Sequence, residues 1–338
     1  MKLFNRSKPQ PTYAYGEGAF KGNNDTDKPV SASGKPKIVF FGTGPVAAKS
    51  LQLLASNFEV EAVITKPKPS HHRGNFPVIE VATELNLPVE TAPDKHTLSS
   101  LIATKSFQSR LGVLIDFGII VNEDVINHFP LGIVNSHFSL LPRWRGADPI
   151  SFAILNGDDK TGVSLMLLEP KLDTGKLIAQ KSLPIKSDDT TPSLTDKLIN
   201  LSHELITEHL PSYVAGQAKV RSQPHPDRAT YSRKLSKADG LIDWTKPAEQ
   251  IEREIRAFID WPKSRTTLAG KEVIITKAHT TTATEANNRP GEIKLDKKAG
   301  LVIVSTAKGA LCIEKLKPAG KQEMSAQSFM AGYGRNLN

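Results

Sequence analysis

KIVFFGTGPVAAKS (residues 37–50) reads as a strand, a glycine turn and the start of a helix. Ile38–Phe41 form a short apolar run, Gly42 and Gly44 follow it, and AAKSLQLLAS then carries helical spacing. Working outward, EVEAVITK predicts a second strand. FPVIEVATELNLPV predicts a helix and a strand, RLGVLIDFGIIV a strand region and LGIVNSH another. Alternating β and α elements imply a parallel sheet with helices on both faces, an α/β Rossmann-like domain. TPSLTDKLINLSHELITEHLPSYVAG closes that region with a long amphipathic helix.

The pattern changes after RSQPHPDRAT, whose two prolines mark a linker. LIDWTKPAEQIEREIRAFI reads as one helix entered through Asp243–Trp244. Short alternating runs follow (RTTLAG, KEVIITKAHT, GEIKLD, GLVIVSTAKGALCIEKL), punctuated by Gly270, Gly291, Gly300 and Gly309. Strands at this spacing predict a small antiparallel, OB-like β-barrel. The expected organisation is a disordered tail over 1–36, a catalytic domain over 37–220, a linker over 221–234 and the barrel over 235–338. Residues 1–36 are rich in Gly, Asn, Ser, Lys and Pro and lack apolar periodicity, a composition that cannot bury enough surface to order itself.

The 338 residues suit about two domains. A single cysteine, Cys312, excludes an internal disulfide framework and a multi-cysteine metal site, and fits a reducing cytoplasm. No apolar run reaches membrane-spanning length, and the N-terminus lacks the apolar core of a secretory signal. Glu17, Asp25 and Asp27 do not suit a mitochondrial leader. The net charge of +9 is uneven: residues 225–338 hold 20 basic and 13 acidic residues, whereas residues 38–224 are close to neutral. A basic domain beside a near-neutral one suggests a polyanionic partner, nucleic acid before membrane.

The turn Gly42-Thr-Gly44-Pro-Val-Ala47 fits G-x-G-x-x-A, but the second strand ends in Thr65-Lys66-Pro67 with no acid to hold a ribose, and Pro45 lacks an N–H. Both features argue against an NAD(P) site. GIVNSHFSLLPRWRGADPI is more informative. Asn135 and His137 stand two apart on a strand and share a face. His moves protons near neutral pH, and Asn can donate to an oxyanion without carrying charge. Leu172-Asp173-Thr174-Gly175 adds a carboxylate at a turn. The set suffices for acyl transfer to an amine, although each residue alone also has a purely structural reading.

NSHFSLLPRWRGA followed by LDTG resembles the folate-dependent formyltransferases. YSRKLSKADGLIDW (231–244), RAFIDWP (256–262) and KPAGKQEMSAQSFMAG (317–332) look like the linker and C-terminal domain of the branch that formylates methionyl-tRNA. The resemblance covers about residues 37–333. It implies formyl transfer from 10-formyltetrahydrofolate, the folate co-substrate, to the α-amine of initiator methionyl-tRNA. It implies no metal and no membrane, and a monomer is expected. The implied catalytic trio is Asn135, His137 and Asp173. Ser139, Leu140, Leu141 and Pro142, with Phe117 and Gly118, correspond to the folate-contacting positions. Lys66, Lys68 and Arg73 of a basic loop correspond to the tRNA acceptor-stem positions. Phe138, Asp148 and Lys176 depart from the family pattern, as does Asp116, which either lines the pterin pocket or faces water at a strand end. The rival readings are a formyltransferase acting on a sugar amine, a formyl-folate hydrolase, a dehydrogenase and a non-catalytic RNA-binding protein.

Overall fold

The computed structural model describes residues 34–68, 74, 76–281, 289–296 and 298–333. Strand β1 (Lys37–Phe41) sits in the middle of the first sheet, because its side chains are apolar on both faces: Ile38 and Phe40 enter one core, Val39 and Phe41 the other. The described residues begin slightly ahead of β1, where the Pro36 carbonyl accepts from the Glu59 N–H at 3.0 Å. Residues 1–33 of the expected tail lie outside the described residues.

Around β1 run α1 (Pro45–Leu54), β2 (Glu59–Thr65), α2 (Pro77–Glu84), β3 (Val89–Thr91), α3 (Lys95–Ala103), β4 (Gly112–Leu114), α4 (Glu123–Asn127) and β5 (Ile133–His137). Next come β6 (Arg145–Gly146), α5 (Pro149–Asn156), β7 (Lys160–Leu167), β8 (Leu177–Pro184) and α6 (Thr191–Val214). The sheet order is β3-β2-β1-β4-β5-β7-β8. The first five strands are parallel, as expected, but β7 and β8 pair antiparallel, so the sheet is mixed. The chain crosses from β1 to both neighbours, which makes the β1/β4 boundary a topological switch point. Helix α6 covers one face through Leu194, Leu198, Leu201 and Leu205, spaced at three and four residues, and Thr190 and Ser193 form its capping box. Asp94 caps α3, accepting from the His96 and Thr97 N–H groups at 2.9 Å.

The expected strand region over 110–121 is much shorter. β4 stops at Leu114, and the chain turns away through Asp116 (φ 50°) and Gly118 (φ 35°).

The second half comprises β9 (Tyr231–Ser232), α7 (Ala248–Ala257), β10 (Ser264–Leu268), β11 (Lys271–Thr281), β12 (Ile293–Asp296), β13 (Leu301–Ser305), β14 (Ala310–Pro318), β15 (Met324–Ser325) and α8 (Ala326–Tyr333). Strands pair antiparallel in the order β10-β11-β14-β13-β12, with β15 on β14. Ala269 and Gly270, both at positive φ, close the β10–β11 hairpin. Ile251 and Ile255 of α7 and Phe329 of α8 fill the core of this sheet.

Helix α7 begins seven residues later than the single helix expected from Leu241. Asp243 accepts from the Thr245 N–H at 3.0 Å and its hydroxyl at 2.6 Å, a local turn that competes with helix, and Pro247 stays extended as the N-cap. The halves meet where α7 packs on α5. Arg253 Nε donates to the Leu155 carbonyl at 3.1 Å and Arg256 Nη1 to that of Asp189 at 2.8 Å. Among the described residues no helix is long and apolar enough to cross a membrane.

Candidate active site

Asn135 and His137 project from the carboxyl end of β5 on the face shared with Ile133, one strand beyond the switch point. Both are buried. His137 Nε2 stands 2.8 Å from the Trp144 carbonyl, which can only accept, so Nε2 carries the proton there. Trp144 has φ 57°, unusual for a bulky residue, and this conformation turns its carbonyl toward the ring. The other ring nitrogen, Nδ1, faces Asp173 Oδ2 at 3.7 Å. That gap is longer than a hydrogen bond.

Asp173 arrives from the turn between β7 and β8 at φ 50° and is buried beside His137. Its Oδ2 accepts from the Gly146 N–H at 2.7 Å. Gly146 adopts φ 112°, and a Cβ there would lie 2.2 Å from the Ser232 carbonyl, so only glycine lets β6 pair with β9 this closely. The carboxamide of Asn135 makes no hydrogen bond to any described residue, which leaves its N–H₂ group for a ligand.

The segment Ser139–Pro142 is wired into the chain. Ser164 Oγ donates to the Ser139 carbonyl at 2.6 Å and accepts from the Leu141 N–H at 3.0 Å, while Gln180 Nε2 donates to the Leu141 carbonyl at 3.0 Å. Ser139 and Leu141 are fully buried, whereas Leu140 and Pro142 are partly exposed. Phe117 packs edge-on against Phe41, with ring centroids 5.5 Å apart, inside the core under α3 and α4. The Gly118 carbonyl accepts from Lys66 Nζ at 2.8 Å. Lys66 therefore turns in toward the switch point, while Lys68 is exposed and Arg73 lies outside the described residues.

Asp116 occupies the switch point itself. A Cβ on Gly44, the N-cap of α1, would lie 2.3 Å from its Oδ2. Its side chain remains exposed to solvent, with the surrounding protein close on its other sides. Burial there, then the charge of Asp148, push its carboxyl up to about 6 against the opposing pull of Lys66. The N–H groups of Gly42 and Thr43 are spent on the Ile64 and Asp116 carbonyls at 3.1 and 3.0 Å. The glycine turn thus offers a dinucleotide neither the N–H groups of Gly42 and Thr43 nor, with a carboxylate against Gly44, a space suited to phosphate.

Residues 36–210 match the family described as formyl transferase, and residues 234–334 match the formyl transferase C-terminal domain. The methionyl-tRNA formyltransferase of Roseiflexus castenholzii is 37% identical over 302 residues, 88% of this chain and 96% of that protein. That of Listeria monocytogenes is 36% identical over 307 residues, 89% of this chain and 97% of that protein.

The chain belongs to the methionyl-tRNA formyltransferase family.

The fold is also similar to solved structures of lower identity. WlaRD, a sugar 3N-formyl transferase crystallised with dTDP and 5-N-formyl-THF, aligns with TM-score 0.63 and 20% identity over 85% of this chain and 99% of its own. The N-formyltransferase of Helicobacter canadensis, in complex with folinic acid and dTDP-3-aminofucose, gives the same TM-score and identity over 86% of this chain and all of its own. For this member of the methionyl-tRNA formyltransferase family, the structure brings Asn135, His137 and Asp173 to one strand end. It also shows what the sequence reading missed: the Trp144 carbonyl, the Gly146 N–H and Ser164. Ser164 alone left a trace, as a polar residue inside the apolar strand GVSLML.

Proposed function

We propose that this enzyme transfers the formyl group of 10-formyltetrahydrofolate to the α-amine of initiator methionyl-tRNA, with Asn135, His137 and Asp173 as its catalytic residues. The observation that carries the reading is the convergence of the three at the end of β5: an unpaired amide donor, an imidazole fixed through Nε2, and a carboxylate 3.7 Å from Nδ1. The Trp144 carbonyl anchors the ring, so its Nδ1 edge is the one that meets substrate. Asn135 N–H₂ and His137 Nδ1–H stabilise the oxyanion that develops on the formyl oxygen as the neutral amine attacks. Asp173, held by the Gly146 N–H, stabilises positive charge on the ring and accepts the amine's proton, directly or through water. His137 then supplies a proton to the departing nitrogen.

The folate side of the cleft is formed by the Ser139–Pro142 segment and by the Phe117–Gly118 turn. Ser164 and Gln180 hold the first rigid, which suits recognition by a preset backbone. The C-terminal domain, net +7 over residues 225–338, is the tRNA-binding unit, with Lys68 and Arg73 at the acceptor end. Its basic charge and the relatives matched over nearly their whole length favour charged tRNA over a sugar amine.

The test is formylation by the purified protein, with formyl-folate and one acceptor at a time: charged initiator tRNA, amino sugars, or water alone. Formylated aminoacyl-tRNA is the expected product. Turnover confined to an amino sugar or to hydrolysis would overturn the assignment.

A further inference from the structure

The stretch joining the two halves sends one side chain back into the catalytic half. Gln223 is 6% exposed, and every polar atom of its carboxamide is engaged. Nε2 donates to the Asp173 carbonyl at 2.7 Å and to the Gly175 carbonyl at 3.0 Å, while Oε1 accepts from Arg145 Nη2 at 2.7 Å. Arg145 is itself buried. Its Nε has no partner, and its other side-chain contact is a long one to the Tyr231 hydroxyl at 3.5 Å. Gln223 is therefore the near oxygen for a buried cation, and both of its donors fall on the turn that bears the catalytic carboxylate.

One unit thus grips Asp173 from two sides. Gly146, the residue after Arg145, donates its N–H to the carboxylate, and Gln223, bound to Arg145, holds the main chain of the same residue. Asp173 sits at φ 50°, a conformation that a residue with a side chain keeps only when its surroundings enforce it. The 3.7 Å separation from His137 Nδ1 is set by where that turn lies. A shift of about 1 Å in such a group costs on the order of 10²-fold in rate.

We propose that Gln223 is a positioning residue for formyl transfer: its carboxamide ties the segment entering the C-terminal half to the Asp173 turn and so aims the carboxylate at His137. The proposal rests on the catalytic role given above to Asp173. Gln223 reaches no reacting atom and acts through that residue.

The experiment compares the full-length parent with Q223M, Q223E, D173N and the double variant D173N/Q223M. Initial rates are taken with charged initiator tRNA and formyl-folate, and melting is followed in parallel. Q223M keeps the length and loses all three hydrogen bonds. Q223E keeps an oxygen for Arg145, but turns an oxygen instead of an N–H₂ group toward the Asp173 and Gly175 carbonyls. Both should lose roughly 10- to 100-fold in kcat, the scale of a lost supporting contact or a shift of about 1 Å. KM for either substrate should stay within about threefold, since transition-state alignment rather than binding is lost. Q223E retains the pairing with Arg145, so it should melt above Q223M, though below the parent because two buried carbonyls lose their donor. It therefore separates aim from stability and supplies the test if Q223M unfolds. The double variant should be no slower than D173N, since residues acting as one unit are not additive. Parental kcat in Q223E, a loss confined to KM for tRNA, or losses that multiply in the double variant would each overturn the proposal. D173N at parental turnover would instead remove the role of Asp173, and the proposal with it. A slow D173N beside a fast Q223E removes the proposal alone.

Discussion

Two carboxylates of the first half, Asp116 after β4 and Asp173 in the β7–β8 turn, are treated in opposite ways. Asp173 is buried, accepts from a backbone N–H at 2.7 Å, and has its own carbonyl clamped by Gln223. Asp116 accepts no hydrogen bond on its carboxylate from any described residue, faces Asp148, and is moderated only by the charge of Lys66. The fold supplies donors to the carboxylate proposed to be catalytic and leaves the other to solvent. The difference teaches that a charged side chain in a cleft acquires a fixed direction from the donors around it. Its residue type alone does not provide that.

The contrast breaks most readily at Asp173. Asp173→Asn should lower kcat by roughly 10²–10⁴-fold, the usual worth of one acid–base group, with KM for formyl-folate little changed. Steady-state rates against both substrates check this, and near-parental kcat would remove Asp173 from the trio. His137→Ala should fall in the same range. Asn135→Ala removes one unpaired oxyanion donor and should cost roughly 10²–10³-fold. Because the Asn135 carboxamide has no hydrogen bond to a described residue to lose, the melting temperature of this variant should stay near the parental value; a large drop would assign the side chain a structural role instead.

A smaller effect is expected away from the cleft. Lys68→Glu should raise KM for charged tRNA a few-fold with kcat nearly unchanged. It should also flatten the plot of log affinity against log salt by about one unit, the share of one phosphate contact. Unchanged KM and slope would take Lys68 out of the tRNA surface.

The smallest effect sharpens the comparison from the Asp116 side. Its carboxyl is raised when folded, to about 6 from an ordinary 3.8. The folded state therefore holds this proton more tightly than the unfolded chain does. The stability it contributes is greatest at low pH, falls as pH rises from about 4 to 6, and stays lower above that. Asp116→Asn should accordingly melt above the parent at pH 8 and together with it at pH 4. Its kcat should stay near the parental value, since Asp116 lies outside the proposed trio. A difference in melting temperature that is the same at every pH would show that Asp116 is not the titrating group.

The sequence by itself determined the β/α alternation around KIVFF and the antiparallel second half, and it pointed to Asn135, His137 and Asp173 as the candidate trio. Apolar periodicity and side-chain chemistry are written residue by residue, and each can be read locally. The antiparallel turn of β7 and β8, the early end of β4 at Leu114 and the late start of α7 were settled by partners distant in sequence or by competing turns. Above all, tertiary structure alone decided what surrounds the trio: the Trp144 carbonyl on His137, the Gly146 N–H on Asp173, and Gln223 reaching across 50 residues to the Asp173 main chain. Two of these three are backbone groups. Every residue carries a backbone carbonyl and nearly every one an N–H, so the sequence holds no mark of which will be aimed at a side chain. Only the path of the folded chain fixes that direction.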